Sequence, residues 1–295
     1  MKMKKLFALW QLMRLEHGIM IAIAILIGTL VATQALPTLQ VFLFTFFTAL
    51  FLEASTFVLN DYLDRDIDTR NRRTDRPLVR GDLQPRTALL IFALLFPLGI
   101  LSSYFVNLTC FLIALITALF AVVYDTVLKK IKLLGNFFIA YTMAIPFVFG
   151  GVAMQNAAVL SLMVSPTILV LASIAFLAGS GREIMKDVQD FKGDKEQGVR
   201  SFPRYLGTRG SNILAGVFYL GAITVSFLPY SLPLFSIFYQ NNAYLAAVFL
   251  ADIIFLTTTL QLFFFRSPNL AVYRKFTLLG LMIGLAAFLI GAFLG

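Results

Sequence analysis

An all-α, multi-pass membrane bundle of about nine transmembrane helices is the fold class this sequence predicts, and three observations predict it. Hydrophobic residues make up 59% of the 295-residue chain and charged residues 13%, and the mean hydropathy is +0.86, far more apolar than a water-soluble domain. The apolar residues gather in runs close to the roughly 20 residues a helix needs to cross ~30 Å of hydrocarbon. Finally, the basic residues are confined to one alternating set of connections between those runs.

Taken in order, the predicted spans are His17–Ala35, Val41–Leu59, Thr87–Val106, Leu108–Val127, Leu134–Ala153, Ala158–Gly181, Ile213–Leu228, Ala243–Phe265 and Phe276–Leu294. The first follows Met1-Lys2-Met3-Lys4-Lys5. Its apolar run is too long for a signal peptide and lacks a small-residue exit, so it is expected to be a retained helix. The second and sixth run on into polar, acidic sequence, which suggests helices that continue past the membrane interface. Cys110, the single cysteine, lies within the fourth span; it permits no disulfide inside the chain and reads as a small packing residue. Pro146 with Gly150 and Gly151 is expected to kink the fifth span, and Asp252 in the eighth is expected to be paired structurally. No low-complexity linker divides the chain, so residues 1–295 are read as one transmembrane domain. The two acidic segments recur after the second and sixth spans, a hint of an ancient duplication.

A formal net charge of +9 would suggest nucleic acid for a soluble protein, but its distribution points elsewhere. With nine spans, all 24 Lys and Arg residues fall on the side of the amino terminus. The opposite connections, around Pro37, Asn107, Gln155 and residues 229–242, carry none. The positive-inside rule places the amino terminus and the long connections in the cytoplasm, with the chain in the cell membrane. Lys2, Lys4, Lys5, Arg266, Arg274 and Lys275 read as topology signals or membrane-surface anchors.

Two long cytoplasmic connections, residues 60–86 and 182–212, hold most of the acids. Asn60, Asp64 and Asp68 stand at i, i+4 and i+8, with Asp61 alongside, and Glu183, Asp187, Asp190 and Asp194 fall together in the second segment. On a helix such carboxylates stack and repel, and a hard divalent cation would relieve them. Magnesium suits carboxylate oxygens and commonly shares its coordination with substrate phosphate. Neither segment has the twelve-residue pattern of a calcium loop. Cations surround both: Arg70, Arg72, Arg73, Arg76 and Arg80 after the first, and Arg182, Lys186, Lys192, Lys195, Arg200 and Arg204 about the second. Arginine binds phosphate oxygens in pairs, so acids and arginines together imply a metal-bound phosphate or diphosphate. The alternative is a pair of solvated acidic faces. Glu53, seven residues before Asn60 on the same face and deeper in the membrane, reads either as a contact to the acceptor or as a structural hydrogen bond. His17 reads as interfacial, and Asp125 has no assigned role.

At these residues the sequence resembles the UbiA superfamily of intramembrane prenyltransferases. The first motif of that family, Asn-Asp-x-x-Asp-x-x-x-Asp, is matched by Asn60, Asp61, Asp64 and Asp68; its Arg-Pro-Leu element is similar to Arg76-Pro77-Leu78; its second motif is similar to Asp187, Asp190 and Asp194. The family's Tyr-x-x-x-Lys pair appears as Tyr124 with Leu128 in the expected place and Lys129 one residue later. The run from Arg182 to Asp194, with Gly135-Asn136, is similar to that of the geranylgeranylglyceryl phosphate geranylgeranyltransferases.

The resemblance implies a helical bundle whose cavity opens to the cytoplasmic side, with magnesium as cofactor and an isoprenoid diphosphate as donor. It further implies a lipophilic acceptor, geranylgeranylglyceryl phosphate, reached among membrane lipids. Asn60, Asp64 and Asp68 would hold one ion and Asp187, Asp190 and Asp194 another. Asp61 and Asn136 would orient the site, Tyr124 and Lys129 would act at the diphosphate, and Arg72, Arg76, Arg182 and Lys186 would supply fixed positive charge. Prenylation of an aromatic ring needs the same ionisation step and stays open at this point. A cation transporter ranks lower, since it would place ionisable groups near the bilayer midplane.

Overall fold

A computed structural model describes residues 2–70, 72–155, 163–196 and 198–294. The start of the predicted sixth span, residues 158–162, lies outside them. Among the described residues all regular structure is helical. The helices are α1 (Lys2–Met13), α2 (Leu15–Thr33), α3 (Leu39–Leu63), α4 (Arg65–Arg70), α5 (Pro77–Arg80), α6 (Pro85–Tyr104) and α7 (Leu108–Thr126), followed by α8 (Lys132–Ala153), α9 (Pro166–Glu196), α10 (Phe202–Ser226), α11 (Leu228–Ser231), α12 (Asn242–Phe264) and α13 (Leu270–Leu294). Among the described residues nine helices are long and apolar enough to cross a membrane, as the hydropathy predicts.

Their burial pattern is that of a protein solvated by lipid. Leu90, Leu94 and Leu101 on α6 are 71%, 60% and 50% exposed, while Ser103, Thr258 and Thr277 are at 0%. Large apolar side chains face outward because hydrocarbon costs them nothing, and small hydroxyl residues let backbones approach. The hydroxyls return their hydrogen bonds to their own helices, as when Thr258 Oγ1 donates to the Ile254 carbonyl at 2.8 Å, so none is stranded in an apolar medium.

Three element boundaries differ from the sequence expectation, each for a local reason, while the second acidic segment continues its helix as expected. A separate helix, α1, precedes the first span, because Arg14 adopts φ +45° and breaks the chain between α1 and α2. The first acidic segment is divided at Asp64, which C-caps α3 at φ −85°, ψ −4° before α4 begins at Arg65, yet the Asp64 amide still donates to the Asn60 carbonyl and the Asp68 amide to the Asp64 carbonyl, which carries the helical spacing across the division. The second segment is continuous, since α9 carries the apolar run and the acids together through Glu196. Upstream of the predicted seventh span, α10 begins at Phe202, with a break at Gly207, φ +68°.

Packing groups the chain into two compact units: residues 1–26, 37–127 and 152–162 in the first, and 27–36, 128–151 and 163–295 in the second. In the first, Ala8, Leu12, Val58, Leu78, Leu83 and Ala88 form a buried cluster that ties α1, α3, α5 and α6 together. Asn107 caps α7 by accepting from the Cys110 amide at 2.7 Å and donates to the Val152 carbonyl at 2.8 Å.

In the second unit α9 and α10 pack through Ala178, Gly181, Ala215 and Ala222. A Cβ on Gly181 would meet the Ala215 carbonyl and the Tyr219 ring at 2.9 Å. Asp252 is paired as expected, accepting from Ser226 Oγ at 2.7 Å. Gly28 marks a closer approach still: a Cβ there would reach the backbone carbonyl oxygen of Phe147. Gly28→Val is therefore expected to lower stability by about 1–3 kcal/mol through overpacking, read as a lower thermal-unfolding midpoint in detergent.

Candidate active site

Each unit contains one acidic segment, and each segment is built around a cation that contacts two groups. In the first unit, α3 brings Asn60 against α7, where its Nδ2 donates to Asp125 Oδ1 at 2.6 Å. Asp61, one residue on, is 2% exposed. Its Oδ1 accepts from Arg14 Nη2 at 2.7 Å and from Arg76 Nη1 at 2.8 Å, while Oδ2 is buried without a hydrogen-bond partner among the described residues. The Arg14 guanidinium also lies over the Phe57 ring, 4.2 Å from its centroid, a cation–π contact that fixes its plane. Arg76 stands at the N-cap of α5 and reaches toward Asp68 at 3.7 Å. Asp68 is buried and Asp64 half-buried.

The connection from α4 to α5 is braced by its own arginines. Arg73 grips Asp75 with two hydrogen bonds of 2.9 Å, which holds the Asp75 carboxyl below its usual range. Arg80 bonds Asp82, the Thr74 and Asp75 carbonyls, and Gln11 of α1. Arg72 is exposed, at φ +52°.

In the second unit, α8 faces the acids of α9 with the first turn and a half of its length. Asn136 Nδ2 donates to Asp187 Oδ2 at 2.8 Å. One turn earlier, Lys132 Nζ donates to Asp194 Oδ2 at 2.6 Å and lies 3.6 Å from Asp187 Oδ1. Asp187 is buried and Asp190 exposed. Glu183 is turned to other partners, Lys186 at 3.3 Å and Arg182 at 3.7 Å. Glu53 and Tyr124 are half-buried on α3 and α7, and Lys129 is half-buried in the short turn before α8. A polar cleft lined by Tyr230, Ser231, Tyr239, Gln240 and Asn242 contains none of the predicted site residues.

Residues 21–280 match the UbiA prenyltransferase family. The chain belongs to the UbiA prenyltransferase family. It is 40% identical over 287 residues to the digeranylgeranylglyceryl phosphate synthase of Archaeoglobus fulgidus, covering 97% of this chain and 95% of that protein. A solved structure described for digeranylgeranylglyceryl phosphate synthase in membranes superposes with a TM-score of 0.80 at 33% identity, covering 98% of both chains. The fold is shared more distantly with a UbiA homolog from Archaeoglobus fulgidus bound to DMAPP and Mg2+, at a TM-score of 0.60 and 17% identity, covering 96% of this chain and 99% of that one.

Against the UbiA motifs, sequence reasoning missed three residues that the structure places in polar contacts: Arg14 on Asp61, Lys132 between Asp187 and Asp194, and Arg274, whose Nη1 donates to Gln189 Oε1 at 2.8 Å. For Lys132 a signal existed, since it lies one helical turn before Asn136 and shares its face. Arg14 and Arg274 carried no local pattern, because their partners are 47 and 85 residues distant in sequence.

The UbiA acids fit magnesium of the kind that shares its shell with phosphate. Among the described residues no three His, Cys, Asp or Glu side chains converge into a protein-only cage. Magnesium commonly takes one or two carboxylates and fills the remainder with water and phosphate oxygens. Asp187 and Asp194 already touch one ammonium, so their spacing suits a single cation.

Proposed function

We propose that this chain transfers a geranylgeranyl group from its diphosphate to geranylgeranylglyceryl phosphate, a step of ether-lipid biosynthesis. The observation that carries the reading is the 40% identity, over nearly its whole length, to a digeranylgeranylglyceryl phosphate synthase. The family match runs across both packing units, which supports treating residues 1–295 as one transferase domain. The one-sided basic charge supports a cell-membrane protein with its amino terminus and acidic segments in the cytoplasm, and the family resemblance implies a cavity open to that side.

In this reading Asn60, Asp64 and Asp68 hold one magnesium and Asp187, Asp190 and Asp194 a second. When bound, magnesium supplies positive charge to the diphosphate oxygens. The chain's own groups do the rest. Arg72, Arg76 and Lys129 supply fixed positive charge for the leaving diphosphate, where preorganised charge is worth most. Tyr124 acts with Lys129 at the diphosphate, and Asn136 orients the site through Asp187. Asp61 holds Arg14 and Arg76 rather than metal, and Glu53 contacts the acceptor. Apolar helices keep water from the allylic carbon once its bond to oxygen weakens, and aromatic faces stabilise positive charge there.

The test is purified protein with radiolabelled geranylgeranyl diphosphate and Mg2+, offered either geranylgeranylglyceryl phosphate or an aromatic acid. Product is expected from the glycerol phosphate alone; product from the aromatic acid alone overturns the reading. Chelation with EDTA is expected to reduce transfer to background, and added Mg2+ to restore it.

A further inference from the structure

The cytoplasmic part of α9 presents two different faces. Asp187, Asp190 and Asp194 share one; Arg182, Lys186 and Gln189, at i, i+4 and i+7, share another, roughly a quarter-turn away. The acidic face meets α8 through Lys132 and Asn136. The basic face is joined by Arg274 of α13, which bonds Gln189 at 2.8 Å. Arg274, which its sequence position marks as a plain membrane anchor, thus joins two further cations of this face, Arg182 and Lys186, which both pair with Glu183.

That cluster is under-satisfied. The Nε atoms of Arg182 and Arg274 are both buried with no hydrogen-bond partner among the described residues, and Glu183 reaches Arg182 only at 3.7 Å. Tyr219 is fully buried against Gly181, the residue before Arg182, and is stacked on Phe255, so the interior beside this part of α9 is already filled. The Arg182 and Lys186 side chains are 21% and 42% exposed, so a ligand can reach them. An anion with several oxygens is the ligand that answers unfilled guanidinium donors, and a buried donor left unmade costs about 1–3 kcal/mol.

We propose that Arg182, Lys186 and Arg274 bind the phosphate monoester of the acceptor, so that Arg182 and Lys186 serve the acceptor rather than the donor diphosphate to which the family resemblance assigns them. The proposal rests on the functional reading above and deepens it: these cations choose an acceptor with a phosphate over one without. A phosphate-bearing lipid headgroup has the same chemistry, and the experiment separates the two sources.

Transfer is measured in phospholipid-free maltoside micelles with geranylgeranylglyceryl phosphate and with its dephosphorylated alcohol, geranylgeranylglycerol, as acceptors. Wild-type transfer to the phosphorylated acceptor tests the functional reading; if it is absent, that reading fails whatever the variants do. Given that transfer, Arg274→Gln is expected to raise KM for the phosphorylated acceptor about tenfold or more. KM for the donor and kcat/KM for the alcohol should stay unchanged. Arg274→Lys, which keeps the charge without the fork, should fall between, and it is the variant to read if Arg274→Gln does not fold. Equal losses with both acceptors, a raised donor KM, or no change overturns the proposal. So does a result in which the variants leave acceptor KM unchanged but reduce retention of phospholipid by the protein, which assigns the cluster to a headgroup.

Discussion

Asp61→Ala is expected to lose both stability and transfer, whereas Asp64→Asn is expected to lose transfer alone. The two residues adjoin in one motif, yet their surroundings differ. Asp61 accepts from Arg14 and Arg76 on a single buried oxygen, so its removal leaves two guanidiniums facing each other without an anion. Breaking a buried pair from one side costs about 3–5 kcal/mol. Arg14 and Arg76 keep about a fifth of their surface, and water screens part of that cost, so a loss of about 2–3 kcal/mol is expected. Arg76 stands at the N-cap of α5 and also lies 3.7 Å from Asp68, so its release disturbs the placement of that acid and lowers transfer as well. Asp64 caps α3 through its backbone, whose amide donates to the carbonyls of Asn60 and Tyr62. Asn preserves that cap and removes only the negative charge. Transfer should drop by about 10²–10³-fold with the unfolding midpoint nearly unchanged. Thermal unfolding in detergent and single-turnover transfer, measured on both variants, check the contrast; equal midpoints for Asp61→Ala and wild type would show that the arginines find other partners.

The same contrast shows how far the sequence could be read. Hydropathy and charge asymmetry are sums over many residues, and for that reason they located the membrane helices well. The second acidic segment was legible as a continuous helix because no residue between Pro166 and Glu196 interrupts its periodicity. The first keeps the helical hydrogen bonds from Asp64 to Asn60 and from Asp68 to Asp64, but its division into α3 and α4 at Asp64 depends on backbone angles that the i, i+4, i+8 spacing does not encode. Asn136, legible from its place after Gly135, meets Asp187, and Asp61, whose motif neighbours Asn60, Asp64 and Asp68 read as metal ligands, meets two arginines. Arg14 and Arg274 stayed hidden: a cation at a helix end looks the same whether it meets lipid headgroups or a carboxylate brought from far along the chain. Lys129 stands one residue beyond the family's lysine position, while the lysine that contacts Asp187 and Asp194 is Lys132.

Lys132→Met is expected to make the protein's stability depend strongly on Mg2+. One ammonium now lies between Asp194 at 2.6 Å and Asp187 at 3.6 Å, and Asp187 is almost wholly buried. Without that charge the two carboxylates repel, and the hydrogen bond from Asn136 satisfies only one oxygen of Asp187. Lys132 keeps 23% of its surface, so screening moderates the loss to about 1–3 kcal/mol. A divalent cation can take the place of the ammonium, because it offers more charge to the same two oxygens. Mg2+ should therefore raise the unfolding midpoint of Lys132→Met more than that of wild type, and half-maximal stabilisation should come at lower Mg2+. Lys132→Arg retains a cation and should behave like wild type in the absence of metal. If Mg2+ shifts Lys132→Met and wild type equally, Lys132 and the metal do not share these carboxylates, and the second ion must be held by Asp190 with groups outside this pair.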